Sequence, residues 1–330
     1  KQYHEADQVP DDFLKLFSYQ SGDFSDIKAF KSLDVKIKAI DNEWGVCANK
    51  VFYLAVPPQQ FEVIFKGLAT VKLNEPCGGQ FGWTRILVEK PFGHDLQSAK
   101  TLDSLLARYF EEEQIYRIDH YLAKEIVQGI IHFRFSNNLL ESSWSNRSIE
   151  KIEIRLLEKL GVETRGSFYD AVGALRDVGQ NHLLEMLSAI TMDYPSSMNA
   201  GELRAKRAAL VDALKPWTRA DLKNNTFRAQ YNGYRAITGV NPSSETETYF
   251  KLKTELQVQN WEGVPIYFEA GKRCSESRKE IVVIFKHPPT CLMCTPEHHT
   301  QNKVIFSMEP NDRIAIHFWT KKPGYDKSLE

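Results

Sequence analysis

The sequence lacks the features that would tie it to nucleic acid, a membrane or the cell exterior. Its 330 residues carry 42 Lys and Arg against 43 Asp and Glu, a net charge of −1, so no basic surface for nucleic acid or anionic lipid is indicated. No apolar run approaches the roughly 18–20 residues of a membrane-spanning helix, and the first residues do not resemble a signal peptide. These absences predict a soluble, cytoplasmic protein without nucleic-acid or membrane partners.

Cysteine is also scarce. An odd total of five, spread thinly over a long chain, argues against a disulfide framework. Cys291 and Cys294 have the spacing of metal ligands and His287 lies close by, so this stretch could be a small zinc site or a proline-containing polar hairpin loop. A second such cysteine pair is missing, so we favour the loop and predict no metal site.

A glycine-rich dinucleotide-binding turn is missing as well. Dinucleotide-binding domains usually open with a strand and a GxGxxG turn, whose backbone amides hold the pyrophosphate. Gly78, Gly79 and Gly82 do not follow a convincing strand, so they indicate an ordinary loop.

What the first part of the chain does contain is an alternation of strands and helices. Residues 51–56 form an apolar run typical of a buried parallel strand, and residues 85–90 are a second short strand. Each ends at proline. Amphipathic helical spacing follows each run, over residues 60–68 and 95–110. This order predicts βαβ units. We therefore predict a partial Rossmann-like parallel-sheet domain over residues 1–117.

After residue 117 the pattern changes. Apolar residues recur at helical spacing in three segments, whereas apolar and charged residues alternate in five others, as in half-buried antiparallel strands. We therefore predict an α+β substrate-binding and dimerisation domain over residues 118–330, with a large antiparallel sheet flanked by helices. The helical segments are 126–135, 170–192 and 203–214, and the alternating ones are 148–157, 249–255, 280–285, 303–308 and 313–319.

Residues 116–125, YRIDHYLAKE, form the chemically densest stretch. If a helix begins here, His120, Tyr121 and Lys124 converge on one patch. An imidazole, a phenol and an ammonium near a helix N-terminus would form an anion site. A helix start with satisfied surface polar groups explains the same residues equally well. Asp119 cannot bind an anion, so its role stays open at this point.

His182 is a second candidate, because it stands where an apolar helix begins. A histidine in such a place is more often a hydrogen-bonded core residue than a catalyst. A general base needs a carboxylate on its other ring nitrogen, and both Asp119 and Asp177 are candidates. Glu158 and Lys272, taken singly, are most simply surface charges.

Five segments, taken together and in order, resemble the glucose-6-phosphate dehydrogenase family. The resemblance extends from about residue 13 to the C-terminus, and the motif around Asp119 and His120 is highly specific. The segments are 49–58 (NKVFYLAVPP), 88–93 (VEKPFG), 116–125, 173–184 (GALRDVGQNHLL) and the dipeptide Gly271-Lys272.

The resemblance implies an enzyme that oxidises glucose 6-phosphate at C1 to 6-phosphogluconolactone by hydride transfer to NADP, the first step of the pentose phosphate pathway. It also implies a homodimer or homotetramer. The family begins with a glycine-rich βα unit and continues past the last strand seen here, so we expect this chain to be a central portion. A non-catalytic sugar-phosphate-binding or assembly module is the alternative for the chain as it stands.

The resemblance further implies roles for individual residues. His182 would be the general base that takes the proton from the C1 hydroxyl, and Asp119 would orient it. His120, Tyr121 and Lys124 would hold the 6-phosphate. Glu158, Asp177, Lys272 and Arg278 would contact the sugar phosphate, Tyr53 would line the cofactor side, and Lys90 would lie between substrate and nicotinamide next to Pro91, whose peptide bond is often cis in this family.

Overall fold

The chain divides after Ile118 into two units, Lys1–Ile118 and Asp119–Glu330. The structure is a computed structural model and describes residues 11–77, 82–138, 140–288, 290, 301–309, 311–321 and 323. In this described part, no helix has both the length and the apolar character needed to cross a membrane.

The first unit is built on a three-stranded parallel sheet in the order β1–β2–β3. The predicted Rossmann-like parallel sheet is therefore confirmed. The elements are α1 (Asp11–Leu14), α2 (Ile27–Trp44), β1 (Lys50–Leu54), α3 (Phe61–Thr70), β2 (Thr84–Glu89), α4 (Leu96–Tyr109) and β3 (Ile115–Ile118).

Side chains at the ends of the helices in this unit set where the helices begin and stop. Asp26 caps α2 by accepting a hydrogen bond from the Lys28 amide at 2.9 Å. Gly45 ends α2 with φ 66, a left-handed conformation that glycine adopts without steric cost. Asp95 caps α4 by accepting from the Ser98 amide at 2.7 Å. Each cap satisfies a backbone group that the helix itself leaves unpaired.

The core of this unit lies on one face of its sheet. Ile86 and Val88, alternate residues of β2, are fully buried. They pack with Phe61 and Phe65 of α3 and with Leu106 of α4. Burial that alternates along β2 is what a strand with one covered face requires.

One disulfide is present that the cysteine count did not predict. Cys47, just before β1, is bonded to Cys77, which lies between α3 and β2. Cys274 is free and half-buried. Cys291 and Cys294, for which we favoured a loop over a zinc site, lie outside the described residues. An odd cysteine count did not exclude a single pair, because pairing depends on which residues the fold brings together.

The second unit is built on a seven-stranded sheet in the order β10–β9–β8–β4–β7–β6–β5. The central strand β4 runs parallel to β7 and antiparallel to β8, and the other neighbours are antiparallel. The predicted large, mainly antiparallel sheet is confirmed, although β5 and β7 were not predicted. The strands are β4 (Ile149–Leu157), β5 (Thr226–Ala229), β6 (Tyr249–Thr254), β7 (Ile266–Gly271), β8 (Arg278–Phe285), β9 (Lys303–Glu309) and β10 (Arg313–His317).

Helices pack on this sheet and enclose the core of the second unit. Ile152, Ile154 and Leu156, alternate residues of β4, are buried in one core with residues of the helices. A π-helical segment, Leu175–Leu183, joins two of the helices. The helices are α5 (Glu125–Phe135), α6 (Gly166–Ala174), α7 (Leu184–Thr191), α8 (Ala200–Asp212) and α9 (Arg219–Asn225).

The helix predicted over residues 170–192 is present but is interrupted near its start. Gly173 has φ 76, which residues with a side chain rarely adopt. A Cβ at this position would lie 2.6 Å from Glu247 Oε1. The same carboxylate oxygen accepts the Leu175 amide at 2.9 Å. Glu247 therefore caps a new helical start, from which the chain continues in the π-helical segment.

Candidate active site

Asp119 lies in a turn between β3 and α5. We considered a helix that begins within residues 116–125 and carries His120 and Lys124 on one face. In the structure the helix is α5, which begins only at Glu125, with Lys124 as its N-cap residue. Asp119 Oδ1 accepts a hydrogen bond from the Tyr121 amide at 2.8 Å. Such a bond to the backbone two residues on is a turn-forming contact of aspartate. It competes with helix formation and explains why α5 starts only after this turn.

Asp119 and His182 form a buried hydrogen-bonded pair. His182 Nδ1 lies 2.7 and 2.9 Å from the two carboxylate oxygens of Asp119. The side chains of His182 and Asp119 are only 1% and 8% exposed. Because an ionised carboxylate only accepts hydrogen bonds, Nδ1 carries the proton and Nε2 has the basic lone pair. Of the two carboxylates considered as partners, Asp119 makes this contact.

The charge state of Asp119 follows from its surroundings. Burial by itself would raise the pKa of this carboxyl group. The hydrogen bond and charge of His182, together with the Tyr121 amide, more than offset that effect and lower the pKa below its ordinary value. Asp119 is therefore a carboxylate at neutral pH and can stabilise a protonated His182.

Asp177 shares the π-helical segment with His182, five residues before it. On an α-helix, five residues are about 140° apart around the axis. The i→i+5 hydrogen bonds of a π-helix turn such residues towards the same side. Both side chains are buried, with 9% exposure for Asp177 and 1% for His182. The π-helix thus lets one segment direct a carboxylate and an imidazole into the interior.

Three rings pack together at the dyad. Tyr121 stacks on His182 with centroids 4.1 Å apart, and His120 meets His182 edge-on at 4.7 Å. Lys124 Nζ lies 5.1 Å from the centroid of the Tyr121 ring. The structure therefore brings His120, Tyr121 and Lys124 together beside His182, through a turn rather than along one helix face.

Tyr121 is held as a hydrogen-bond donor. Burial raises the pKa of its hydroxyl to about 12, although the nearby Lys279 charge acts in the opposite direction. The phenol therefore stays protonated near neutral pH and can donate to an anion.

Glu158, directly after β4, belongs to a network of lysines and glutamates. Its Oε2 lies 2.6 Å from Lys272 Nζ, and its Oε1 lies 3.3 Å from Lys279 Nζ. Lys279 Nζ also contacts Glu309 Oε1 at 2.8 Å. Burial would raise the pKa of Glu158, but the hydrogen bond and charge of Lys272 and the charge of Lys279 lower it. Because these side chains are between 13% and 34% exposed, the network can meet a solute.

Sequence reasoning did not include Lys279 and Glu309 among the site residues. No sequence pattern separates Lys279 from Arg278, because residues 281–285 are all apolar and all buried. Successive strand residues point to opposite faces. In the structure Lys279 is in phase with Ile281 and Val283, which belong to the core of this unit.

Arg278 is not brought into this network. Its Nη2 lies 3.0 Å from Glu276 Oε2 and its Nη1 lies 3.8 Å from Glu280 Oε1. Arg278 and Lys279 are adjacent on β8, so their side chains leave opposite faces of the strand. The one-residue difference explains why Lys279, rather than Arg278, contacts Glu158.

Tyr53, Lys90 and Pro91 belong to the first unit. Tyr53, on β1, donates a hydrogen bond to Glu89 of β2, and this carboxylate raises the pKa of the phenol. Lys90 directly follows β2, and the Lys90–Pro91 bond is cis, as the resemblance implied. Dinucleotides bind beyond the carboxyl ends of parallel strands, and Lys90 and Pro91 directly follow such a strand. The pyrophosphate-binding GxGxxG pattern does not occur in this sequence.

Asp119, His120 and His182 could also be considered as metal ligands, because their ligating atoms lie within 4.8 Å of one another. However, Asp119 is hydrogen-bonded to His182 Nδ1, so only His182 Nε2 and His120 would remain as ligands, fewer than the three protein ligands of a catalytic metal centre. The arrangement therefore favours a base with its orienting carboxylate over a metal centre.

Two family models match the chain in succession. Residues 1–129 match the glucose-6-phosphate dehydrogenase NAD binding domain, and residues 131–330 match the C-terminal domain of the same family. The first of these matches indicates a nicotinamide dinucleotide as the cofactor class.

Individual proteins agree with the family models. Glucose-6-phosphate 1-dehydrogenase of Aggregatibacter actinomycetemcomitans is 38% identical over 322 residues, which cover 94% of this chain and 64% of that protein. A solved structure of glucose-6-phosphate dehydrogenase in complex with its substrate glucose-6-phosphate has a TM-score of 0.86 at 31% identity, covering 97% of this chain and 66% of that one. Glucose-6-phosphate 1-dehydrogenase from Mycobacterium avium has a TM-score of 0.85 at 34% identity, covering 98% and 68%. The chain spans about two thirds of the length of these relatives.

Proposed function

The chain belongs to the glucose-6-phosphate dehydrogenase family, and from this membership we propose that the protein oxidises glucose 6-phosphate at C1 to 6-phosphogluconolactone. We propose NADP as the cofactor, whose nicotinamide accepts the hydride when bound. The reaction would be the first step of the pentose phosphate pathway. The observation that carries the proposal is the hydrogen bond of 2.7 Å between Asp119 and the buried His182.

In this proposal His182 is the general base. Its Nε2 takes the proton of the C1 hydroxyl, and the negative charge that builds on the oxygen promotes loss of hydride from C1. Asp119 keeps the Nδ1 proton in place and stabilises the imidazolium that forms. Assistance of this kind typically contributes about 10²–10⁴-fold to the rate.

The 6-phosphate is the proposed handle for positioning the sugar. Lys124, His120 and the protonated Tyr121 hydroxyl would bind it. Lys124 is the N-cap residue of α5, so the amides of the first turn of this helix add to the favourable potential for an anion. Binding energy from this remote group can then hold C1 in register with the base.

The sugar ring is proposed to bind beside the lysine–glutamate network. Glu158 and Asp177 would accept hydrogen bonds from ring hydroxyls, and Lys272 would donate one. Because Glu158 and Lys272 are 2.6 Å apart, a single ring hydroxyl could bond to both. Arg278 as a ligand of the sugar phosphate rests on the family resemblance.

Two further parts of the proposal rest on the same resemblance. Lys90 would lie between substrate and nicotinamide, with Tyr53 and Pro91 on the cofactor side. The protein would act as a homodimer or homotetramer. A cytoplasmic location is proposed from the sequence composition.

The test compares His182→Ala with His132→Ala, a matched control at an exposed position of α5. Turnover is measured with glucose 6-phosphate and NADP, and sugar-phosphate binding is measured by calorimetry. We expect His182→Ala to lower kcat about 10²–10⁴-fold while the Kd for glucose 6-phosphate changes little. His132→Ala should match wild type. Turnover by His182→Ala near the wild-type level contradicts the proposal.

Cofactor titration separates the enzyme from the binding-module alternative. Saturable binding of NADP by the protein supports a dehydrogenase. Binding of glucose 6-phosphate without binding of NADP or NAD supports a non-catalytic module instead.

A further inference from the structure

The Cys47–Cys77 disulfide belongs to the first unit and uses none of the residues assigned to the reaction. Its two cysteines are 30 residues apart in sequence and enclose β1 and α3. Cys77 is exposed, whereas Cys47 is half-buried. An external thiol can therefore reach the sulfur of Cys77 more easily than that of Cys47.

The main chain at Gly82 shields the other sulfur. A Cβ at this glycine would lie 2.5 Å from Cys47 Sγ and 2.8 Å from the Cys47 carbonyl oxygen. Gly82 also has φ 87, a conformation that favours glycine. The chain thus passes close over Cys47, which leaves Cys77 as the sulfur open to attack.

Lys50, the first residue of β1, directs its ammonium group at both sulfurs. Its Nζ lies 3.0 Å from Cys77 Sγ and 3.7 Å from Cys47 Sγ. The Lys50 side chain is only 10% exposed. Asp41 Oδ2 at 2.9 Å and the Ala48 carbonyl oxygen at 3.1 Å hold the ammonium in this position. A cation so close to sulfur favours thiolate over thiol, which makes either cysteine a better leaving group.

We propose that Cys47–Cys77 is a thiol–disulfide exchange site that a dithiol reductant opens. One thiolate of the dithiol attacks Cys77 Sγ and forms a mixed disulfide. The Cys47–Cys77 bond breaks, and its electron pair leaves with Cys47 as a thiolate beside Lys50. The second thiol of the dithiol then loses its proton and attacks its own sulfur in the mixed disulfide, which releases Cys77 as a thiolate. The dithiol ends as a disulfide, and the protein has gained two electrons and, on protonation, two protons.

A metal site is the competing interpretation of the same side chains, because ligating atoms of Asp41, Cys47 and Cys77 lie within 4.8 Å of one another. Lys50 Nζ, however, contacts both Asp41 Oδ2 and Cys77 Sγ. The chain therefore supplies its own cation among these groups. This arrangement favours an exchange site over a metal site.

The test measures how fast dithiothreitol reduces the disulfide in the folded protein. Thiols are alkylated at timed intervals, and the peptides that contain Cys47 and Cys77 are quantified by mass spectrometry. We expect Lys50→Met to slow reduction about tenfold or more, because the leaving thiolate loses its counter-charge. Lys50→Arg keeps the charge and should stay within about threefold of wild type.

Two variants isolate the role of the ammonium. Lys66→Met removes the same charge from an exposed position of α3 and should reduce at the wild-type rate. Asp41→Asn/Lys50→Met removes the carboxylate together with the amine. If reduction stays slow in this double variant, the cause is the missing Lys50 ammonium and not the unpaired Asp41 carboxylate.

The reactivity of the Cys77 thiol in the wild-type protein provides a second test. In the reduced protein, the pH dependence of alkylation at Cys77 should show half-maximal reactivity below the ordinary thiol pKa of about 8.5. Titration at the ordinary value, equal reduction rates for wild type and Lys50→Met, or reduction only after unfolding would each overturn the proposal. So would an oxidised protein in which Cys47 and Cys77 are not linked.

Discussion

Two ionic groups of the second unit differ in burial and in the number of partners. The Asp119–His182 pair is buried, with side-chain exposures of 8% and 1%. Glu158 instead shares its carboxylate between Lys272 and Lys279 at the half-exposed end of the sheet. Within the network, Glu158 and Lys279 each have two charged partners.

This difference suits the two groups to different tasks. In the proposed reaction, proton transfer would need a base whose tautomer and direction are set before the substrate arrives, and this is the role proposed for the buried pair. The network is the proposed site for the sugar, because Glu158 and Lys279 can each exchange one charged partner for another. We therefore expect substitutions in the pair to change kcat and substitutions in the network to change KM.

The largest expected effect comes from Asp119→Asn, which breaks the pair and leaves the network intact. The amide is neutral and cannot stabilise the imidazolium of His182. We expect kcat to fall about 10²–10⁴-fold and the free energy of unfolding to fall by about 1–3 kcal/mol. Steady-state kinetics and thermal unfolding measure the two effects.

Asp212→Asn is the matched control for Asp119→Asn, since Asp212 is exposed at the end of α8. It should leave both kcat and stability unchanged. If Asp119→Asn raised KM and left kcat at the wild-type level, the division of tasks between pair and network would be wrong.

The sequence narrowed the partner of His182 to Asp119 or Asp177 but could not choose between them. The choice depends on a turn closed by Asp119 itself and on a π-helical segment. That segment starts after a glycine whose conformation is set by contact with Glu247. Glu247 is more than sixty residues away in sequence from both aspartates, so no local pattern reports its contact.

The fold class was easier to predict than the sheet order. The alternation along β4 and the short apolar run in β8 are local signals that indicate strands directly. The parallel pairing of β4 with β7 joins segments separated by several helices, so it depends on packing that sequence periodicity does not record. Lys279 was passed over for a related reason, because its place in the site depends on which face of β8 turns inward.

The next largest effect is expected in the network. Lys279→Met removes the partner of both Glu158 and Glu309, whereas Lys272→Met removes a partner of Glu158 alone. Hydrogen bonds to charged groups contribute about 1.5–3 kcal/mol, so KM for glucose 6-phosphate should rise about 10–100-fold in each variant. The value of kcat should change little in either variant.

Lys159→Met provides the control for these lysine variants. Lys159 is exposed and adjoins Glu158 in sequence, so its replacement removes the same charge nearby. KM should stay at the wild-type value. A rise in KM as large as that of Lys272→Met would mean that general electrostatic attraction, and not the contact with Glu158, determines affinity.

A smaller effect is expected from pH and salt. The pKa of Asp119 is lowered from 3.8, and that of Glu158 from 4.5. Each carboxylate therefore stabilises the folded state fully above its ordinary pKa. That stabilisation is lost as pH falls through the lower folded-state value, because the unfolded chain binds the proton first.

Salt should distinguish the two carboxylates in acid unfolding. Added salt screens half-exposed charges more than buried ones. At low pH, wild type should lose more unfolding free energy than Glu158→Gln does, and this difference should shrink at high salt. The corresponding difference between wild type and Asp119→Asn should persist at high salt. Unfolding free energies measured at several pH and salt values check this. Equal salt sensitivity for both variants would contradict the contrast in burial.

The smallest effect is expected from a substitution at Arg278. This substitution tests whether Arg278 and Lys279, which leave opposite faces of β8, differ in their contribution to substrate affinity. The guanidinium group is 42% exposed and pairs with Glu276 and Glu280, and exposed ion pairs contribute little. Arg278→Met should therefore change KM for glucose 6-phosphate by at most about threefold, although the family resemblance assigns this residue to the sugar phosphate. An increase in KM equal to that of Lys279→Met would show that Arg278 leaves its glutamate partners when the substrate binds.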